Sequence, residues 1–219
     1  MATSFIYRLR PFVAPSLPVS PQDYEARDFD KFNNILRLYF NQIDNAFGAL
    51  ISSSGGQYLS FPHGAFSSNQ DQSTTANTAT LMTLNATDFS NGVSISSSKI
   101  TPAVAGIYNL QFSTQFQNTD NQIQDISIWL KQNGVDIPGS TGYVSIPARK
   151  SASAGEEAHE IIGWNYYVSM QANDYIEIYW STTLASVTIQ HYPASIGPVR
   201  PATQSVVATL SFVSALPTV

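Results

Sequence analysis

Histidines and acidic residues are the side chains of this sequence that could carry acid–base or metal chemistry, since the chain has no cysteine. The three histidines are His63, His159 and His191, far apart along the chain and outside any catalytic or metal-binding motif. His191 continues the apolar face that Val187 and Ile189 begin. We therefore expect His191 to be hydrogen-bonded or to lie in an interface, and not to act as a catalyst.

A cluster of acidic residues surrounds the second histidine. Glu156, Glu157 and Glu160 flank His159 and could supply oxygen ligands to a cation. Three acids in one loop are more typical of a solvated turn, and Asp71 is a weaker candidate of the same kind. The aspartates follow no calcium-loop spacing, so we predict neither a metal site nor a bound cofactor.

Paired carboxylates could also hydrolyse a glycosidic bond if the fold held them at a defined separation. The pairs that the sequence leaves open are Asp125 with Asp174 and Glu160 with Glu177. The motifs G-x-S-x-G, G-x-x-x-x-G-K-[ST] and G-x-G-x-x-G, which accompany acyl transfer, phosphate binding and dinucleotide binding, are absent from the sequence. We predict that the protein is not an enzyme.

The charge content narrows the choice of partners. Charged residues make up 11% of the 219 residues and the formal net charge is −5. A chain with this balance lacks the basic footprint of a nucleic-acid-binding protein. It also lacks an apolar run near the ~20 residues that a membrane helix needs. We therefore expect neither nucleic acid nor membrane as a partner.

The elements that would position these residues begin with one long helix, predicted over residues 21–51. Ser20 is a candidate N-cap, Pro21 suits the first helical position, and the SSSGG run at residues 52–56 ends the pattern. Large apolar residues recur at steps of 3, 4, 4, 3, 4 and 3, the spacing of a helix packed against other helices. This apolar stripe consists of Phe29, Phe32, Leu36, Phe40, Ile43, Phe47 and Leu50. We expect this stripe to pack against further copies of the same helix; the alternative is that the helix covers the sheet of its own subunit.

An extended arm, residues 1–20, precedes the helix, and a Ser/Gly hinge, residues 52–57, follows it. Prolines recur along the arm and hold the backbone near polyproline geometry. Its large apolar residues are Phe5, Tyr7, Leu9, Phe12, Val13, Leu17 and Val19. We expect these residues to anchor the protein in a groove of a larger particle, or alternatively to pack along its own domain.

From residue 58 to residue 219 the apolar pattern has a period of two. Runs such as residues 108–116, 126–130 and 176–180 place apolar side chains on one face and polar side chains on the other. Asn133-Gly134 is a hairpin signal between two such runs. Eight to ten strands without an intervening helix predict an antiparallel β-sandwich or jelly roll, so the fold class is mainly β with one helix.

Three tyrosines lie out of phase with the apolar faces of their strands. Tyr167, Tyr175 and Tyr179 should point outward or into a subunit contact. Large outward aromatics are common anchors at protein interfaces. A carbohydrate platform is the alternative that we keep for them.

Several short motifs along the strands occur in an order typical of one fold family. They are GAF at residues 64–66, AGIYNL at residues 105–110, WLKQNG at residues 129–134 and ANDYIEI at residues 172–178. In that order they resemble the C1q/TNF-like jelly roll over about residues 60–215. Asn173 departs from the glycine usual in that family, although Asn tolerates a left-handed backbone.

The first 50 residues resemble a different group of proteins. The motifs PSLPV at residues 15–19 and LRLYFNQIDN at residues 36–45 are similar to the N-terminal segment of small virion structural proteins of tailed phages, with marine and cyanobacterial podoviruses nearest. The resemblance implies a homotrimer that is made in the host cytoplasm and attached to the particle by the arm and helix. Its partners would be capsid or other virion proteins, and the jelly roll would face solvent.

These observations lead to two functional hypotheses. The first is a homotrimeric virion structural protein, displayed on the particle surface as a decoration or short fibre. The second is a tail-fibre or receptor-binding head that recognises a host surface glycan through the outward aromatics or the loop at residues 156–160.

Overall fold

The computed structural model describes residues 15–17, 23, 25–51, 60–151, 153 and 156–217. The chain divides into two compact units, Met1–Ser60 and Phe61–Val219. Most of the predicted arm and the whole 52–57 hinge lie outside the described residues. So do the predicted arm anchors Phe5, Tyr7, Leu9, Phe12, Val13 and Val19. Leu17 is described, and 44% of it is exposed.

The first unit contains one helix, α1, at Ala26–Ile51. The carbonyl of Glu25 accepts hydrogen bonds from the backbone N–H groups of Asp28 at 3.0 Å and Phe29 at 3.3 Å, which makes Glu25 the N-cap. The predicted start at residue 21 is therefore wrong, because both Asp23 and Glu25 lie outside the helix. The apolar stripe begins only at Phe29, so an earlier turn would contribute no apolar anchor.

The second unit consists of strands and turns throughout its described part. Its strands are β1 (His63–Ser68), β2 (Thr80–Leu81), β3 (Ala86–Asn91), β4 (Val93–Ser96), β5 (Lys99–Pro102), β6 (Gly106–Asn118), β7 (Gln124–Gln132), β8 (Val135–Asp136), β9 (Gly142–Ile146), β10 (Ala158–Met170), β11 (Ile176–Thr182), β12 (Val187–Ile189), β13 (Ser195–Ile196), β14 (Val199–Arg200) and β15 (Val206–Ser214). The predicted dominance of strands after the hinge is confirmed.

The strands form two antiparallel sheets. The first sheet has the order β10-β6-β15-β1-β3, with β12 also paired to β6. The second sheet has the order β4-β5-β11-β7-β8, with β2 paired to β11 and β9 paired to β7. The long strands alternate between the sheets: β6, β10 and β15 belong to the first sheet, and β7 and β11 belong to the second. The last of them, β15, lies beside the first, β6. This is a jelly roll, as predicted.

The core lies between the two sheets and follows from the alternation of side chains along each strand. On β6, Tyr108 and Leu110 are fully buried, whereas Asn109 and Gln111 face outward. From the second sheet, Trp180 packs edge-on against Phe116 of the first, with ring centroids 5.5 Å apart. The period-two prediction is thus confirmed at the long strands.

Two asparagines adopt the left-handed backbone that their turns require. Asn133 has φ 53° and Gly134 has φ 80°, the geometry of a type I′ hairpin between β7 and β8. Asn173 has φ 68°, which shows how this chain makes a turn where a glycine is more usual. Both turns lie at the same end of the second sheet, because Gln132 pairs with Ile176.

Candidate functional site

The apolar stripe of α1 is uncovered to an unusual degree for so many large side chains. Phe29, Phe40 and Phe47 are 53%, 56% and 58% exposed. Phe32, Leu36, Ile43 and Leu50, the remaining members, are half-buried, and none of the seven is fully buried. A helix with this face is stable only when another surface covers it.

The spacing along α1 also brings in two residues that the sequence prediction missed. Leu36, Ile43 and Leu50 are seven residues apart, so a strict heptad places Tyr39 and Ala46 between them at the second core position. Both Tyr39 and Ala46 are half-buried. The prediction chose the neighbouring residues Phe40 and Phe47 because they are large. Counting heptads from Leu36 would have found Tyr39 and Ala46.

Strand β10 forms an edge of the first sheet. Its thirteen residues, Ala158–Met170, pair with β6, and among the described strands they have no second partner. Residues 161–170 contain neither a charged residue nor a proline, the usual protections of a free edge. Ile161 is 69% exposed and Tyr167 is 59% exposed on this strand. A long, uncharged edge with exposed apolar side chains is typical of a surface that another chain covers.

The structure does not bring the three predicted outward tyrosines together. Tyr167 points outward from the first sheet, whereas Tyr179 points outward from the second sheet, on the opposite side of the sandwich. The Lys131 ammonium lies 4.5 Å from the ring centroid of Tyr179, and the Lys99 ammonium lies 4.2 Å from that of Tyr175. These cation–π contacts occupy ring faces that a sugar would need. Only Tyr167 remains open as a contact residue.

A cleft of about 270 Å³ lies beside the start of β10, next to the hairpin formed by β13 and β14. It is lined by Gln115, Phe116, His159, Glu160, Ile161, Tyr192, Arg200 and Thr203. The Tyr192 hydroxyl and Nδ1 of His159 are 3.2 Å apart, and the two rings meet edge to face. The Arg200 guanidinium lies 5.5 Å from the centroid of the same tyrosine ring. The sequence offered no signal for this grouping beyond the loop at residues 156–160.

The other two histidines bind backbone carbonyls. Nδ1 of His63 is 2.8 Å from the carbonyl oxygen of Phe61, and Nδ1 of His191 contacts the carbonyl oxygen of Thr203. Asp71 accepts a hydrogen bond from the backbone N–H of His191 at 2.8 Å. His191 is therefore hydrogen-bonded, as expected, and Asp71 positions the backbone of the 190–192 segment.

The carboxylate pairs considered for sugar hydrolysis are far apart. Asp125 lies near the start of β7, whereas Asp174 binds Asn133 beyond its end, roughly 25 Å away at about 3.3 Å per residue. Hydrolysis requires about 5–10 Å between the two carboxyl groups. Glu160 lies on the first sheet, whereas Glu177 points outward from the second sheet, on the same face as Tyr179, so the core lies between the two carboxylates. Neither pair is placed to act on one glycosidic bond.

Asp125 is held by hydrogen bonds to side chains of β9. It accepts a hydrogen bond from the Ser145 hydroxyl at 2.6 Å. This bond, followed by one from Tyr143, lowers the pKa of the Asp125 carboxyl. The hydrogen bond from the Tyr143 hydroxyl to Asp125 raises the pKa of that hydroxyl, because only the protonated phenol can donate it.

Within the described part of the chain, no group of three or more histidine, aspartate or glutamate side chains is arranged to hold a metal ion. The helix that the structure describes is not apolar enough along its length to span a bilayer.

Comparison with known proteins finds similarity at the level of structure, and that similarity is distant. No protein-family model matches the chain, and no curated protein matches it. Among solved structures, the globular domain of zebrafish complement 1qA protein is similar over 72% of this chain and 100% of that chain. The identity is 13% and the TM-score is 0.41. At that identity and TM-score the similarity bears on neither function nor partners.

Proposed function

We propose that this protein is a virion structural protein of a tailed phage, assembled as a homotrimer and displayed on the particle surface as a decoration or short fibre. The arm and α1 attach it to capsid or other virion proteins, and the jelly roll faces solvent. The observation that carries the proposal is the stripe from Phe29 to Leu50, seven large apolar residues of which none is buried within one chain. The role is mechanical and requires neither catalysis nor a cofactor.

The energy available from the stripe supports assembly through α1. Complete burial of one large apolar side chain contributes about 1.5–3 kcal/mol. Three of the seven residues are more than half exposed and four are half-buried, so their complete burial would offset a large part of the cost of about 4–15 kcal/mol that association imposes through lost translational and rotational freedom. Sister copies of α1 provide a matching surface, since the same heptad spacing recurs on each copy.

The uncharged edge of β10 supports contact between the jelly rolls as well. Natural sheets protect a free edge with charge, proline or a covering element. Residues 161–170 of this strand have neither charge nor proline. A sister subunit that covers Tyr167 and the end of β10 away from Ile161 and the cleft would explain why the chain leaves this part of the strand unprotected.

A matched pair of variants tests the trimer. Leu36→Asp with Ile43→Asp introduces two charges into the stripe, and we expect sedimentation equilibrium to show monomers instead of trimers. The control is Leu38→Asp with Asn45→Asp, which adds the same charges at exposed positions two residues further along. The control should remain trimeric. Trimers in the stripe variant would show that α1 does not organise the assembly.

A second candidate function is recognition of a host surface glycan by the jelly roll. The cleft beside His159 favours it, because the exposed apolar side chain of Ile161 lies there beside several polar side chains, in the manner of small-ligand sites. Recognition and display are compatible, since a surface fibre can carry a binding head.

A further inference from the structure

The cleft has an apolar part and polar walls. The exposed side chain of Ile161 supplies the apolar part, whereas the side chain of Phe116, which also lines the cleft, is almost fully buried in the core. The walls present the Glu160 carboxylate, the Arg200 guanidinium and the Tyr192–His159 pair. A ligand that fits must therefore offer both apolar C–H surface and hydrogen-bonding groups.

Arg200 is held in place by the backbone. Its Nη1 donates to the carbonyl oxygen of Pro193 at 2.9 Å and lies 3.5 Å from that of Pro201. Among the residues that the structure describes, no carboxylate lies within ion-pair distance of its guanidinium. The remaining N–H groups of Arg200 are thus pre-positioned donors beside the cleft, and a donor fixed in advance costs little entropy on binding.

The charges around the cleft favour an uncharged ligand. An anion would be attracted by Arg200 but repelled by Glu160. A cation would be attracted by Glu160 but repelled by Arg200. The pKa of Tyr192 is raised, first by burial and then by the negative charges of Glu157 and Asp71. That shift shows that further acidic groups act on the cleft, which adds to the penalty for an anion.

We propose that this cleft binds one neutral hexose residue of a surface glycan. Hexose hydroxyls donate to a carboxylate and accept from a guanidinium at once, and the C–H face of the ring packs on the exposed side chain of Ile161. The volume of about 270 Å³ is just below the range of roughly 300–1,000 Å³ for drug-sized ligands, which suits a single sugar ring. The inference rests on glycan recognition, the second candidate function, and is independent of the trimer.

Binding is measured on the full chain by NMR titration with the methyl glycosides of galactose, glucose, mannose and N-acetylglucosamine, with glucuronic acid as the charged comparator. At least one neutral glycoside should shift resonances of the cleft residues, and glucuronic acid should bind more weakly. Glu160→Gln and Arg200→Gln should each weaken binding about tenfold, the loss expected for one charge-assisted hydrogen bond. Glu156→Gln makes the same change outside the cleft and should leave binding unaltered.

The outcomes separate this inference from the trimer. Because one chain supplies all the lining residues, the monomeric Leu36→Asp/Ile43→Asp variant should still bind the hexose. Binding of no neutral glycoside, stronger binding of glucuronic acid, or unchanged affinity in both cleft variants would each overturn the proposal. None of these results would alter the sedimentation of the unmodified protein, on which the trimer depends.

Discussion

At the scale of single residues, Asp174 joins two turns at one end of the second sheet. One carboxylate oxygen accepts from the Asn133 side chain at 2.8 Å, and the other accepts from the backbone N–H of Gln171 at 2.7 Å and the Gln132 amide at 3.1 Å. These bonds, that from Asn133 foremost, lower the pKa of the Asp174 carboxyl. The ionised side chain therefore fastens the β7–β8 hairpin to the turn before β11.

The lowered pKa fixes the sign of a pH effect. A carboxyl with a folded pKa below the ordinary value of about 3.9 stabilises the fold above that pH, and the contribution is lost as pH falls through the folded pKa. Asp174→Asn should lower the free energy of unfolding at pH 7 by about 1–2 kcal/mol. The gap to the unmodified protein should narrow as pH falls below about 4 and through the folded pKa, because Asp174 then becomes protonated and loses the charge that the substitution removes.

Urea unfolding followed by tryptophan fluorescence measures this effect, since the three tryptophans, Trp129, Trp164 and Trp180, all lie in the sandwich. Asp44→Asn makes the same chemical change on α1 and should leave the unfolding of the sandwich unchanged. A gap at pH 7 that keeps its full size in acid would show that the charge of Asp174 is not its source.

At the scale of elements, α1 contains a residue that weakens it without any packing benefit. Gly48 lies inside the helix on an exposed position, and an added Cβ there would meet no atom within 4 Å. Glycine within a helix costs about 0.5–1 kcal/mol relative to alanine, because it loses more backbone freedom on folding. The helix therefore has room for a stabilising substitution that leaves the apolar stripe unchanged.

Gly48→Ala should raise the stability of the helix by about 0.5–1 kcal/mol per chain. The measurement is thermal unfolding followed by circular dichroism at a helical wavelength, with concentration held constant because the midpoint of a trimer depends on it. Gly139→Ala is the matched control: that position is equally open, but its φ of +78° should make alanine destabilising. The expectation would be contradicted if both substitutions raised the stability, or if both lowered it.

At the scale of the whole molecule, the two units differ in how far they bury their apolar side chains. The helical unit does not fully bury its apolar stripe, whereas the second unit encloses a complete core. The core of the second unit is closed within the chain, from Phe66 to Leu210. Among the described residues, the stripe of the helical unit is exposed or half-buried. The second unit therefore has a complete core of its own, whereas the proposed assembly would stabilise the helical unit.

The proposed virion role predicts that purified phage particles contain this chain. Mass spectrometry of gradient-purified phage should detect this chain at a constant ratio to the major capsid protein, and a reconstruction should show the jelly rolls in threes at the surface. The matched control is the same gradient fraction from uninfected host cells, which should lack the chain. Its absence from purified particles would refute the virion role and leave the hexose cleft to be judged by its own titration.

The amino-acid sequence by itself determined the elements and their exposed faces. The alternation from Tyr108 to Phe116, the hairpin at Asn133-Gly134 and the stripe of α1 were all predictable, because each depends on neighbours within a few residues. The start of α1 was misplaced, since a possible cap at Ser20 has no influence on where apolar anchoring begins.

Only the tertiary structure decided which side chains meet. Sheet order and register, set by strands distant in sequence, separate Tyr167 from Tyr179 and place Asp125 far from Asp174. The same long-range pairing brings the start of β10 beside the β13–β14 hairpin and so forms the hexose cleft. A local pattern contains no information on such pairings, because a one-residue change in register would exchange every inward and outward side chain.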